Sequence, residues 1–370
     1  MQFVNYNFSN YFMTDESYHR KKIAIFQKDL SIGGIQRSLL NLLTYIDLSY
    51  YDVDLFLFAE PELATRNDLK NINVHILKPL PYFNRVVPFE MLMKTYYYDL
   101  PKEKYDIAID YNSYSNECAL CVLQMNAARK IMWIHNDVET EYKNMPKYRI
   151  LWHFFKSKFK YYDEFAAVSN GIVEPFAKKT GINENRISVI PNSINTALIF
   201  KKAKEKIDFD VDSNLVNFIF VGRFTHQKGI DLTLIEFSKA LKKRQDIHLY
   251  LLGDGEELPK IKSMIKELNL SHYVTILHAV ENPYPYMAKM DALILTSRHE
   301  GQGMVLWEAK ALGLDIIFSH RLEKYNPELT GTYNIARAII EEEHHVKVHD
   351  ALDGYNLKIK NALYELIENN

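Results

Sequence analysis

The sequence predicts an α/β chain made of two successive open-sheet domains, and three observations carry that expectation. Short apolar runs of strand length alternate with segments whose apolar residues recur at helical spacing, the pattern of buried strands crossed over by helices. The alternation begins at Lys22, breaks at a charged stretch over 201–212, and restarts at Asn217. A length of 370 residues also suits two domains better than one. The expected division is a flexible extension over 1–21, a first domain over 22–200 and a linker over 201–214. A second domain over 215–354 and a C-terminal helix over 355–370 follow.

Composition narrows the function classes. A formal net charge of −2 argues against a dedicated nucleic-acid binder. Cys118 and Cys121 are the 2 cysteines, which excludes a disulfide framework and suits a reducing cytoplasm. No run approaches the ~18 apolar residues of a membrane helix, and the first residues hold no apolar signal core. The expected location is cytoplasmic, with peripheral contact to the inner face of the plasma membrane as an added expectation.

The first half reads as follows. Residues 22–26 form a strand, and the Gly33-Gly34 pair leads into a helix over 37–46. Strand, glycine turn and helix bring backbone amides to a strand's end, which suits phosphate; the alternative is a plain tight turn. Strands follow at 53–58 and 73–76. Asp52-Val53-Asp54 imitates a metal-binding DxD motif, but at a strand edge two acids flanking a core valine explain it better. Asp208-Phe209-Asp210 sits in the linker and is discounted in the same way. Residues 79–101, dense in Phe, Tyr and Met, suit an acceptor- or lipid-contacting loop or a local aromatic core.

A strand at 106–110 precedes a helix at 116–124 that carries both cysteines on one face. Without a second ligand pair they read as buried small side chains rather than zinc or redox thiols. Strand 130–134 runs into His135, which then lines the crevice of an open sheet as a sugar ligand or a structural histidine. Residues 142–162 interleave Lys143, Lys147, Arg149, Lys156, Lys158 and Lys160 with aromatics and no acid. That fits a surface attracted to anionic lipid, or a solvated amphipathic helix. A strand at 164–169, a helix through Lys179 and a strand at 186–190 complete this half.

The second half repeats the grammar. Strand 217–221 delivers the loop Gly222 to Gly229, and a helix spans 231–242. Arg223 and Lys228 lie in that loop, where they could neutralise a diphosphate, one by a forked contact and one as a point charge. Strand 248–252 ends in Gly253-Asp254-Gly255, strand 274–277 in a loop through Val280, and strand 292–296 in the stretch 297–317. There Glu300 sits in a loop, Gly301 and Gly303 flank Gln302, and a helix carries Glu308 before Gly313 closes it. The glycines permit close backbone approach to a ligand, and the first helical amides lack internal partners. A final amphipathic helix covers 355–368.

Taken together, these residues resemble glycosyltransferase family 4. The likeness runs from about Ile23 to Ile317 and rests on three ordered signals: Gly222-Arg223 with Lys228-Gly229, Gly253-Asp254-Gly255, and Glu300-Gly301 with Glu308-Ala309. Gly33-Gly34, His135 after Trp133-Ile134, and Ile190-Pro191-Asn192 are weaker matches. The sequence is most similar to bacterial enzymes building capsule, exopolysaccharide or teichoic-acid glycans. The resemblance implies the GT-B fold: two Rossmann-like domains facing a central cleft, with the C-terminal helix returning to the first domain.

It also implies roles. Arg223 and Lys228 would hold the diphosphate of a nucleotide-sugar donor, a UDP-sugar being favoured. Glu308 would grip the ribose, and Glu300 and His135 would contact the donor sugar. Gly34, Gly222, Gly303, Met304 and Val305 would bring backbone to phosphate or sugar, and Val280 would lie beside the base. The acceptor would be a glycan or a lipid-linked sugar, transfer would be retaining, and no metal or other cofactor would be required. Asp315 stands where the family often has proline, and Gln302 replaces a common apolar residue. Competing readings are a silent GT-B subunit that binds a partner enzyme or glycan, and a GT-B phosphorylase, for which no pyridoxal-phosphate motif is present.

Overall fold

The computed structural model describes residues 20–31, 33–61, 69–81, 87–144 and 146–369. The expected extension over 1–21 lies outside these residues except at Arg20 and Lys21, as does the centre of the aromatic stretch, residues 82–86.

Two parallel sheets organise the chain. The first comprises β1 (Lys21–Phe26), β2 (Tyr51–Leu57), β3 (Asn73–Ile76), β4 (Tyr105–Asp110), β5 (Ala127–Ile134), β6 (Glu164–Ala167) and β7 (Ile187–Val189). Their order is β3-β2-β1-β4-β5-β6-β7. The second comprises β8 (Val216–Val221), β9 (Ile247–Leu252), β10 (Val274–Leu277), β11 (Ala292–Leu295) and β12 (Asp315–Phe318), in the order β10-β9-β8-β11-β12. Strands such as IAIF, IMWI and ALIL are buried throughout because helices cover both faces of each sheet. The order reverses between β1 and β4 in one sheet and between β8 and β11 in the other. At such switch points the loops leaving the strands diverge and open a crevice.

Four helices position the site: α1 (Gly34–Leu43), α2 (Ile230–Leu241), α3 (Met304–Ala311) and α4 (Asp353–Glu368). Helix α4 returns to the first sheet, where Arg129 donates to Leu366 O at 2.8 Å and Tyr364 donates to Tyr45 O at 3.1 Å. Among the described residues, the helices Val138–Asn144, Thr196–Ala203 and Ile335–Glu341 escaped the sequence reading. Val138–Asn144 is mostly polar, and Ile335–Glu341 is short, so neither offers a long apolar stripe. The stretch read as linker begins inside the helix Thr196–Ala203.

The basic stretch needs one correction. Lys158 does not belong to an exposed lipid-facing surface; it is fully buried. Its ammonium lies 5.2 Å from the Phe155 ring centroid, and burial lowers its pKa to about 8 despite the nearby Asp110. Lys143 pairs with Glu139 at 2.7 Å and Lys160 with Glu90 at 2.5 Å, so the basic residues do find acids from outside the stretch. The Lys147 side chain lies outside the described residues. Among the described residues no helix is long and apolar enough to cross a membrane.

Candidate active site

The loops leaving β8 and β11 are laced together. A turn at His226–Lys228 and Gly229 hold the Lys228 ammonium 2.8 Å from Glu300 Oε1, with both side chains mostly buried. Arg298 forks onto Asp231 of α2 at 2.9 and 2.7 Å, and its backbone N–H donates to Gln227 O at 2.8 Å. Gln227 Nε2 donates to His299 O at 3.1 Å. Arg298 therefore fixes the separation of the two loops, and through it the Lys228–Glu300 pair. Arg223 occupies the same β8 loop but is exposed, and among the described residues its guanidinium has no partner.

The Gly253-Asp254-Gly255 motif locks the neighbouring loops. Phe224 N donates to Asp254 O at 2.8 Å, while the Asp254 carboxylate accepts from Ala279 N at 2.7 Å and contacts His278 Nδ1 at 2.9 Å. A Cβ on Gly253 would lie 2.0 Å from Gly222 O, so this glycine serves strand-end packing. The half-buried Val280 follows immediately in the anchored loop.

Glu308 lies on α3 and is met from both domains. Its Oε1 accepts from Tyr284 Oη at 3.0 Å and from Arg37 Nη1 at 3.0 Å, and Arg37 also donates to Tyr284 Oη at 2.9 Å. Arg37 stands on α1, one turn beyond Gly34, and Glu308 raises its already high pKa. Gly34 is exposed, with open space where a Cβ would sit. Gly303, at φ 84, starts α3 and hands on to the half-buried Met304 and Val305.

The two domains meet tightly around the same stretch. A Cβ on Gly301 would sit 1.8 Å from His135 O, so this glycine admits the other domain's backbone; the expectation of ligand approach at Gly301 is corrected accordingly. Ser169 donates to Gly301 O at 2.5 Å, and Tyr325 donates to Asp137 Oδ2 at 2.9 Å. Gln302 Oε1 accepts from Asn192 N at 2.7 Å, and its Nε2 donates to Tyr355 Oη at the start of α4. The His135 ring is buried with Nε2 3.0 Å from Tyr111 O, and desolvation lowers its pKa to about 3, so the ring is neutral. Asp52 and Asp54 are engaged elsewhere, Asp52 with Arg20 at 2.9 Å and Asp54 with Tyr105 at 2.6 Å and His75 at 3.2 Å.

Comparison with known proteins decides the family. Residues 32–198 match the family model "Glycosyltransferase Family 4", and residues 200–352 match "Glycosyl transferases group 1". The chain belongs to glycosyltransferase family 4. An uncharacterised glycosyltransferase of Methanocaldococcus jannaschii is 25% identical over 309 residues, 79% of this chain and 74% of the relative. A Campylobacter jejuni enzyme is 24% identical over 313 residues, 80% of each chain. Its name is N-acetylgalactosamine-N,N'-diacetylbacillosaminyl-diphospho-undecaprenol 4-alpha-N-acetylgalactosaminyltransferase. Among solved structures, Anabaena HepE in complex with UDP and glucose shares the fold at TM-score 0.64 and 16% identity, over 94% of this chain and 95% of that one. The fold is GT-B.

In this glycosyltransferase the sequence motifs come together at the switch point of the second sheet: Lys228 touches Glu300, Gly222 touches the Gly253 turn, and Gly303 starts the helix bearing Glu308. Arg37, Tyr284 and Arg298 were missed. Arg37 lies three positions after Gly34, in the first turn of the helix that the Gly33-Gly34 pair starts, and that proximity was the available signal. Tyr284 carried none, because its loop reads as ordinary apolar and proline-rich sequence.

Proposed function

We propose that this glycosyltransferase is a retaining, metal-independent hexosyltransferase that uses a nucleotide-sugar donor, a UDP-sugar in preference. Its acceptor is a glycan or lipid-linked saccharide in bacterial surface polysaccharide synthesis. The observation that carries the reading is the β8–β11 loop pair, in which Lys228 is fixed on Glu300 while Arg223 stands exposed in the same loop and, among the described residues, without a partner. An arrangement with one positioned and one free cation suits a diphosphate, which needs charge from more than one side. The glucose and UDP of the Anabaena structure and the diphospho-undecaprenol acceptor in the Campylobacter enzyme's name support the same donor and acceptor classes.

In the proposed reaction the bond from sugar C1 to the donor phosphate breaks and a bond from C1 to the acceptor oxygen forms on the same face. The acceptor proton passes to the departing phosphate. Positive charge grows on the sugar and negative charge on the diphosphate, so Arg223 and Lys228 stabilise the transition state more than the bound donor. Glu308 takes the ribose hydroxyls, with Arg37 and Tyr284 holding its carboxylate in place. Glu300 and the neutral His135 contact the donor sugar, and no protein nucleophile is assigned. Peripheral attraction to anionic lipid rests on the exposed Arg149, Ile150 and Lys156, without Lys158.

A screen of UDP-, GDP- and ADP-sugars by thermal shift tests the donor class, because a ligand of the folded state raises the unfolding midpoint by mass action. Selective stabilisation by a UDP-sugar, followed by its turnover, is the expected result. Binding without transfer or hydrolysis would instead favour the silent-subunit reading, against which the intact Arg223, Lys228, Glu300 and Glu308 set argues.

A further inference from the structure

Three side chains of metal-ligating type converge at the edge of the second sheet opposite the cleft. Asp315 opens β12, whereas Glu300 and Lys228 follow the C-terminal ends of parallel strands. The chain comes back to this edge in residues 342–352, which form neither helix nor strand and lead into α4. One donor atom each from Asp315, Glu342 and His345 lies within 4.8 Å of the others. His345 Nδ1 is 3.3 Å from Asp315 Oδ2 and 3.9 Å from Glu342 Oε1.

The imidazole makes this more than a pair of acids. Its Nε2 lies 3.0 Å from Gly313 O, which can only accept, so Nε2 carries the proton. Nδ1 is shielded from solvent and faces Asp315 and Glu342. Burial and the neighbouring Asp315 push the Glu342 carboxyl up, and the Gly313 carbonyl and Asp315 raise the His345 imidazole, so protons hold the three groups together and a cation would displace them. The nearby side-chain cations are committed elsewhere. Arg244 forks onto Asp246 at 2.8 and 3.1 Å and donates to Ile340 O and Glu342 O. His344 faces Asp291 at 3.0 Å, and Lys347 donates to Ala288 O at 2.8 Å. A backbone acceptor on the distal nitrogen is also how metal-bound histidines are oriented.

We propose that Asp315, Glu342 and His345 bind a first-row divalent cation of the zinc class, which staples residues 342–352 to the second sheet. Imidazole nitrogen with carboxylate oxygen favours zinc over magnesium or calcium, which prefer oxygen alone. Ligand atoms around a tetrahedral zinc, at bonds of roughly 2.0–2.1 Å, are about 3.3 Å apart, and the His345–Asp315 separation already matches. The strap pinned in this way feeds α4, so the ion couples the second sheet's rear edge to the helix that closes against the first.

The test uses the full chain, freed of metal by chelator and dialysed, and titrated calorimetrically with zinc chloride and separately with magnesium chloride. The expected result is one zinc equivalent, no magnesium binding at the same concentration, and a higher unfolding midpoint with zinc. In Asp315→Asn and in His345→Gln zinc affinity should fall at least ~10-fold while UDP binding persists, which shows that the variants are folded. Absence of a saturable zinc equivalent, or an equivalent that survives in both variants, overturns the proposal; the first leaves His345 a protonated partner of Asp315, the second an ion held by other histidines.

Discussion

Glu300 and Glu308 stand eight positions apart and are held in opposite ways. Glu300 is closed within its own domain by Lys228, a residue of the preceding motif, across 2.8 Å. Glu308 is closed across the domain boundary by Arg37 and within its own domain by Tyr284, each at 3.0 Å. The first arrangement survives any movement of one domain against the other. The Arg37 contact exists only when the domains are together, so the proposed ribose grip is completed by closure, whereas the Lys228–Glu300 pair is set without it. The difference separates a pre-set half of the site from a conditional half.

The largest expected effect lies in the pre-set half. Lys228→Ala should lower kcat about 10²–10³-fold, with a smaller change in donor KM, because the cation acts mainly on charge that develops in the transition state. Steady-state kinetics with a donor found by the thermal-shift screen checks this, and an unchanged kcat removes Lys228 from the mechanism.

Gly301→Ala attacks closure itself. The new methyl would lie 1.8 Å from His135 O, so the backbones must separate, costing about 1–3 kcal/mol of stability in denaturant unfolding. Small-angle scattering should show a more open molecule than the unmodified chain.

Arg37→Ala should act on the conditional half alone. Donor KM should rise about 10-fold with kcat nearly preserved, equivalent to one charge-assisted hydrogen bond of about 1.4 kcal/mol. An equal loss in kcat would mean that Arg37 reaches the reacting atoms.

A pH-dependent effect concerns His135, buried at the interface. Its pKa is lowered to about 3, so below the ordinary value of 6.5 the unfolded chain binds a proton that the folded one does not. That contribution is present above 6.5 and is lost as pH falls towards 3, at about 1.4 kcal/mol per pH unit. Between pH 6.5 and 5 the unmodified protein should lose about 2 kcal/mol more stability than His135→Asn, measured by urea unfolding.

The same division explains what was legible in the sequence. The β8 loop, the Gly253 turn and the Glu300 loop are short contiguous motifs at strand ends, and parallel-sheet topology brings strand ends together whatever the rest of the chain does. Their order therefore announced both the fold and the half of the site they build. Arg37 and Tyr284 are single residues on separate elements, 247 positions apart; Tyr284 meets Glu308 within the second domain, and only the seating of one domain on the other brings Arg37 to them. Gly301 was read correctly as a place of close approach and wrongly as to what approaches, since a backbone carbonyl from another domain leaves no local mark. Lys158 was misread because composition shows charge but not direction; its neighbours Phe155 and Phe159 turn it inward towards Asp110. Gln302, a departure from the family pattern, makes sense only beside Asn192 and Tyr355, which it ties together.

The central claim, that the β8 loop binds the donor's diphosphate, is tested most directly by titrating UDP and uridine into the unmodified protein and into Arg223→Ala. The account predicts that UDP binds far more tightly than uridine, and that Arg223→Ala narrows the gap by weakening UDP about 10-fold or more while leaving uridine unchanged. Equal affinities for UDP and uridine in the unmodified protein, or an Arg223→Ala variant that keeps the full gap, would contradict it.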